Sequence, residues 1–180
     1  MEGSEASLGK VVCHFTMSLD GFVAGPGHDM SWLAGVTVPP GLIDRYVAST
    51  GAIVAGRRGW QEVIGTHRPY GGKWSGPVFV LTHHPVNGHV EDGVTYVDDL
   101  RSALAQARAA AGAKNVEIFS PGIGKQALEL GLLDEFDLHV APVLLGDGVR
   151  LYEAPGATPV ALRHSDGSRS VVDLRLVPAP

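Results

Sequence analysis

Apolar residues in this chain come in short unbroken runs, separated by polar segments rich in glycine and proline. Residues 10–17 form the first run, of strand length, closed by Ser18-Leu19-Asp20-Gly21. Runs at 52–55, 78–81, 94–97 and 116–119 are short and continuous, as in strands buried on both faces. Helical spacing appears between them. Leu42, Ile43, Tyr46 and Val47, after Pro39-Pro40, share one helical face. An Ala-rich helix is expected over 100–111, with Asp98 as its N-cap and Gly112 as its stop. A shorter helix is expected over 124–130, ended by Gly131. The alternation predicts an α/β fold, a three-layer sandwich around a mostly parallel central sheet. From Glu135 the pattern changes. Residues 136–145 are strand-like but interrupted by Pro142, and the runs 160–164 and 170–176 flank Asp166-Gly167, a hairpin signal. These C-terminal strands are expected to be antiparallel and to extend the sheet edge. The reading is one domain over 10–180, preceded by a flexible, polar and acidic tail at 1–9.

Composition narrows the class. The 180 residues carry a formal charge of −5, and 44% are hydrophobic, too many for a disordered chain. The mild acidity argues against a nucleic-acid partner, and no run is long enough to span a membrane. A polar, acidic N-terminus is wrong for a secretory signal, so cytoplasmic residence is expected. Cys13 is the only cysteine and sits within a strand-like run, the setting of a buried, inert thiol.

Ligands of open α/β sheets bind beyond the carboxyl ends of the strands. Four junctions qualify: residues 18–25, 56–60, 82–85 and 119–124. Arg57 and Arg58 follow a strand directly, where a guanidinium can fork onto phosphate oxygens; solvated surface charges are the other reading. His14, on the first strand, is a candidate acid or base, or a packed side chain. Asp44 and Asp29 are candidate proton donors by position, against a solvent-exposed role and a turn cap. Trp32, Trp60 and Trp74 would wall a planar ligand or fill core. Residues 70–74, with two glycines, have the makings of a lid. His83, His84 and His89 lack metal-ligand spacing and read as a surface loop, so no metal is expected. His139, in an apolar strand, reads as a core histidine.

Several segments together resemble a known family. The run Thr16-Met17-Ser18-Leu19-Asp20-Gly21-Phe22-Val23-Ala24 is similar to the first-strand motif of the bacterial dihydrofolate reductase-like family. That family includes the reductase domain of the riboflavin-biosynthesis deaminase–reductase. Asp29 and Trp32 fit its next element, and Ala55-Gly56-Arg57-Arg58 with Trp60 its Gly-Arg turn. Gly131-Leu132-Leu133-Asp134-Glu135 and the stretch 141–152 resemble its C-terminal signature, so the likeness runs from residue 10 to residue 176. The resemblance implies a dihydrofolate reductase-like sandwich, a homodimer, and NADPH as cofactor. It implies Leu19, Asp20 and Gly21 in a loop over the nicotinamide. Gly56, Arg57 and Arg58 would hold the pyrophosphate and 2′-phosphate, with Thr82 and His83 near the adenosine.

The pattern is broken at two places. Gly59 stands where the family's turn carries Thr, and Phe119-Ser120 where it carries Gly-Gly. Ser120 and Gly122 would have to take over the phosphate contact. The leading expectation is an NADPH-dependent reductase of a small heterocyclic or carbonyl metabolite. The alternatives are a cofactor-independent enzyme of specialised metabolism on the same fold, performing a cyclisation, elimination or isomerisation, and a non-catalytic small-molecule binder.

Overall fold

The computed structural model describes residues 9–61, 68–84 and 91–178. Residues 1–8 of the expected tail at 1–9, and His89 of the histidine loop, lie outside the described residues. Six parallel strands form the central sheet, in the order β5-β4-β3-β6-β1-β7. They are β1 (Val11–Ser18), β3 (Thr50–Gly56), β4 (Val78–Leu81), β5 (Val94–Val97), β6 (Asn115–Ile118) and β7 (Glu135–Ala141). A separate antiparallel pair joins β2 (Phe22–Ala24) to β8 (Val149–Arg150). The helices are α1 (Leu42–Ser49), the short turn α2 (Arg57–Gly59), α3 (Leu100–Ala111) and α4 (Pro121–Glu129).

Strand alternation gives the two faces of the sheet different chemistry. Val11, Cys13, Ala52, Val54, Val116 and Ile118 pack with α3 and α4 in an apolar core. Helix α3 buries Leu100, Ala103, Leu104, Ala107 and Ala111 in that core, one stripe at helical spacing. Its alanines let it lie close against the sheet. Cys13 is fully buried there, and burial pushes its thiol up to about 12, so it stays protonated and inert. The opposite face is apolar toward β4, with Ile53, Ala55, Val78 and Val80 packed on Trp60 and Trp74. Toward β1 and β7 it turns polar, carrying His14, Glu117, Asp137 and His139.

Four local expectations are corrected. Asp99, not Asp98, caps α3, its carboxylate accepting from the Ser102 amide at 2.7 Å; the helix itself spans 100–111 as expected, and Asp99 is the residue directly before it. Helix α4 starts at Pro121, where the missing N–H of proline costs nothing. Strand β7 is parallel to β1, because α4 carries the chain across before it re-enters the sheet. The 160–176 hairpin makes its turn, with His164 N–H donating to Ser168 O at 2.8 Å, but no strand ladder follows. Its apolar side chains have no core to enter: Val171 is 92% exposed.

Gly51, at a register shift in β3, lies in close contact with α3. A Cβ there would fall 2.7 Å from the Cα and Cβ of Ala111. Gly51→Ala is therefore expected to destabilise the fold by about 1–3 kcal/mol, the cost of overpacking a dense core. Urea unfolding checks this; an unchanged midpoint would mean that α3 moves aside freely.

Candidate functional site

Parallel strands β3 and β6 end near one another, β1 runs on past the end of β6 at Cys13, and a cleft of about 470 Å³ opens there. Its floor includes His14, Phe15 and Thr16 of β1, and Gly56 at the end of β3. Arg58 and Gly59 come from α2, and the start of α4 with the residues before it contributes Phe119, Ser120, Pro121 and Gly122. Val23, Ala24, His28, Met30 and Leu33 border it from the segment after β1, and Val149 from β8. Among the described residues its charge is one-sided: the lining holds Arg58 and two histidines and no carboxylate. The N-terminus of α4 adds to this. Ser120 makes no side-chain cap, so the first amides of the helix are left for another acceptor. A second cavity, of about 460 Å³, lies by Trp60 and Trp74 and carries Glu91 and Asp92, a poor setting for phosphate.

The residues singled out in the sequence divide between cleft and scaffold. His14, Gly56, Arg58, Ser120 and Gly122 meet in the cleft lining. Arg57, Thr82, His83, Leu19 and Gly21 are not part of that lining. The Thr82 hydroxyl closes a local turn with His84. Asp29 binds the amide and hydroxyl of Ser31, at 2.9 and 2.6 Å. Asp44 is exposed and pairs with Lys73 at 2.9 Å. None of the three tryptophans lines the cleft, and Trp60 and Trp74 are core. The 70–74 segment is anchored at two points, with Trp74 Nε1 donating to Thr50 O at 3.0 Å and the Tyr70 hydroxyl bonded to Glu117.

Behind His14 lies a cluster that the sequence did not disclose. Glu117 is 1% exposed, yet carries a carboxylate. Thr50 Oγ1 is 2.6 Å from its Oε1, and the Tyr70 hydroxyl donates to its Oε2. His14 Nδ1 lies 3.4 Å from the same Oε2 and 3.3 Å from Tyr70 Oη. Tyr46, on α1, stacks on the His14 ring with centroids 3.8 Å apart. Its hydroxyl donates to Asp137 at 2.6 Å and meets His139 Nε2 at 2.8 Å. His139 is therefore a satisfied histidine, and burial holds its pKa below the ordinary value. Burial, and then Asp137, push the Tyr46 hydroxyl well up; burial, and then the charge of Glu117, do the same to Tyr70. Both tyrosines are neutral donors. The one signal in the sequence was a lone Glu inside an apolar strand.

Backbone geometry marks the same place. Among the described residues, His28 and Tyr70 are the two non-glycine residues with positive φ, at 62° and 55°. One borders the cleft and the other reaches Glu117. Left-handed backbone of this kind costs about 1–3 kcal/mol and collects at functional sites.

A family model described as the RibD C-terminal domain matches residues 9–172. The chain belongs to the RibD C-terminal domain family. This agrees with the resemblance seen in the first strand, the Gly-Arg turn and the 131–152 stretch. A riboflavin-biosynthesis protein from Shewanella sp. PV-4 is similar in structure, with a TM-score of 0.67 and 26% identity, covering 83% of this chain and 86% of that one. Dihydrofolate reductase from Enterococcus faecalis, solved with NADP(H) and RAB-propyl, has a TM-score of 0.60 at 15% identity, covering 83% and 80%. The fold of this RibD C-terminal domain is thus dihydrofolate reductase-like. No curated protein matches the sequence. Among the described residues no helix is long and apolar enough to cross a membrane, and no cluster of metal-ligating side chains is found.

Asp20 shows how the loop after β1 is held. Its carboxylate accepts from the Ser18 hydroxyl at 2.6 Å, from Gly146 N at 2.8 Å and from Leu145 N at 3.1 Å. These bonds, that of Ser18 foremost, hold its pKa down at about 2, against an ordinary 3.8. A depressed carboxylate stabilises the fold fully above its ordinary value, and that contribution is lost as pH falls toward about 2. Asp20→Asn is expected to lower Tm at neutral pH and to flatten the decline of Tm in acid. A variant whose Tm tracks the wild type from neutral pH down to acid would show that Asp20 does not anchor the loop.

Proposed function

We propose that this protein is an NADPH-dependent reductase of a small heterocyclic or carbonyl metabolite, acting in the cleft at the ends of β3 and β6. The observation that carries the reading is the make-up of that cleft: an arginine, two histidines and the open start of α4, with no carboxylate among the described residues of the lining. A dinucleotide is polyanionic, and such a lining attracts it.

The residues present fit the cofactor. Arg58 and the amides at the start of α4 would hold its phosphates, with Ser120 offering a hydroxyl. Gly122, two residues after Ser120, would compensate for the glycines missing at Phe119 and Ser120. A Cβ at Gly122 would meet nothing within 4 Å, so the backbone there is open to close approach. At Gly56 a Cβ would lie 3.1 Å from Ser120 Oγ, so glycine is what allows Ser120 to sit against β3. Phe119 both lines the cleft and packs edge-on against Tyr70, its ring centroid 5.9 Å away. The bound cofactor would supply hydride. His14, from the cleft floor, is placed to give the proton that a reduced C=N or C=O bond requires. Met30, Leu33, Phe15 and Phe119 offer apolar surface to a flat substrate. Asp29 and Asp44, engaged with Ser31 and Lys73 outside the lining, are weaker candidates for the donor.

The test is a titration with NADPH followed by energy transfer from tryptophan. Saturation in the low micromolar range is expected. Arg58→Ala should weaken binding by about 1.5–3 kcal/mol, the worth of a charge-assisted phosphate bond. Arg57→Ala should weaken it less. Absence of saturation at millimolar NADPH would overturn the proposal and favour cofactor-independent chemistry in the same cleft.

A further inference from the structure

We infer that Glu117 is the positioning residue that makes His14 the proton donor of the cleft. The inference rests on reading that cleft as the reaction site. The pairing itself is read from geometry alone.

The argument starts from what a buried carboxylate needs. Removed from water, its charge requires hydrogen bonds and a counter-charge. Thr50 and Tyr70 supply neutral hydroxyl donors to Glu117, one to each oxygen. Among the described residues, His14 is the basic side chain paired with Glu117, at 3.4 Å, and it carries a counter-charge when protonated. A structural carboxylate buried for packing alone would have no reason to face a histidine that borders the cleft. Tyr70 is also held in left-handed backbone to bring its hydroxyl to this oxygen, a cost that a purely structural loop would shed by carrying glycine there.

His14 is constrained from three directions. Tyr46 covers one ring face at 3.8 Å, with the planes 16° apart. His139 meets the ring edge-on, with centroids 5.2 Å apart. Nδ1 is turned to Glu117 and Tyr70. Because Tyr70 donates its proton to Glu117, the hydrogen between Tyr70 and His14 must sit on Nδ1. The Nδ1–H tautomer follows, and Nε2 is left with no partner among the described residues. A second-shell bond of this kind is how an imidazole is fixed in one tautomer and one orientation.

The step balances simply. A bound reduced dinucleotide would supply hydride to the substrate's C=N or C=O carbon and be oxidised, and the heteroatom would take its proton from Nε2 of protonated His14. The Nε2–H bond breaks, a new N–H or O–H bond forms on the product, and His14 is left neutral with Nδ1–H still bonded. Water in the open cleft returns the proton.

The test reads the ring directly. Nitrogen-15 NMR of the protein without cofactor should show His14, when neutral, as the Nδ1–H tautomer. Glu117→Gln should lose that preference, and Tyr70→Phe should weaken it. In turnover, Glu117→Gln should lower kcat about a hundredfold or more, the usual worth of a positioned acid. NADPH affinity should stay within about twofold, since Glu117 lies outside the cleft lining. An Nε2–H tautomer in the wild type would overturn the inference even if Glu117→Gln failed to fold. So would an unchanged His14 spectrum in a folded Glu117→Gln. Failure of the reductase reading would show instead as absent NADPH binding with the tautomer preference intact.

Discussion

A carboxylate with 1% exposure in the middle of a parallel sheet constrains everything around it, because its charge must be met by donors drawn from other elements. Glu117 draws them from three. Thr50 reaches it from the register shift at the start of β3, Tyr70 from a turn in left-handed backbone, and His14 from the next strand. Helix α1 then lays Tyr46 over His14 and ties it to β7 through Asp137 and His139. Much of this face of the sheet is organised around one ionisable group. The cost of burying it makes the arrangement hard to explain as packing.

Strand β1 links this cluster to the cleft. Its odd-numbered residues Val11 and Cys13 enter the apolar core under α3 and α4, while His14 and Thr16 turn to the other face and reach the cleft floor. One strand thus serves stability on one side and chemistry on the other. The parallel arrangement brings the ends of β3 and β6 beside the middle of β1, so a helix start and an arginine turn that are far apart in sequence converge on one cavity. Among the described residues its lining carries Arg58 and no carboxylate. Glu117 lies outside that lining and pairs with His14, which is part of it.

The legible parts of the fold were those fixed by local physics. Continuous apolar runs announced the buried strands, and the Ala-rich stripe of α3 announced its packing face. The illegible parts depended on what a segment meets. The direction of β7 is set by the crossover through α4, which no pattern within β7 encodes. The 160–176 stretch alternates like a hairpin, but with no partner strand its apolar residues stay in solvent. Asp44 and Asp29 read as acids until Lys73 and Ser31 were found beside them. Glu117 was passed over because one acidic residue in a strand says nothing about its partners, which lie 47, 67 and 103 residues away.

The sequence by itself therefore determined the family, the α/β class and the identity of several cleft residues, among them His14, Gly56, Arg58 and Ser120, since motifs and strand ends are local features. Only the tertiary structure decided which of the two adjacent arginines enters the cleft and that Gly122 offers the open backbone lost at Phe119 and Ser120. It also decided which acid stands behind His14. The physical reason is that a charge is made useful by its surroundings. Those surroundings are assembled from strands that become neighbours only when the sheet closes.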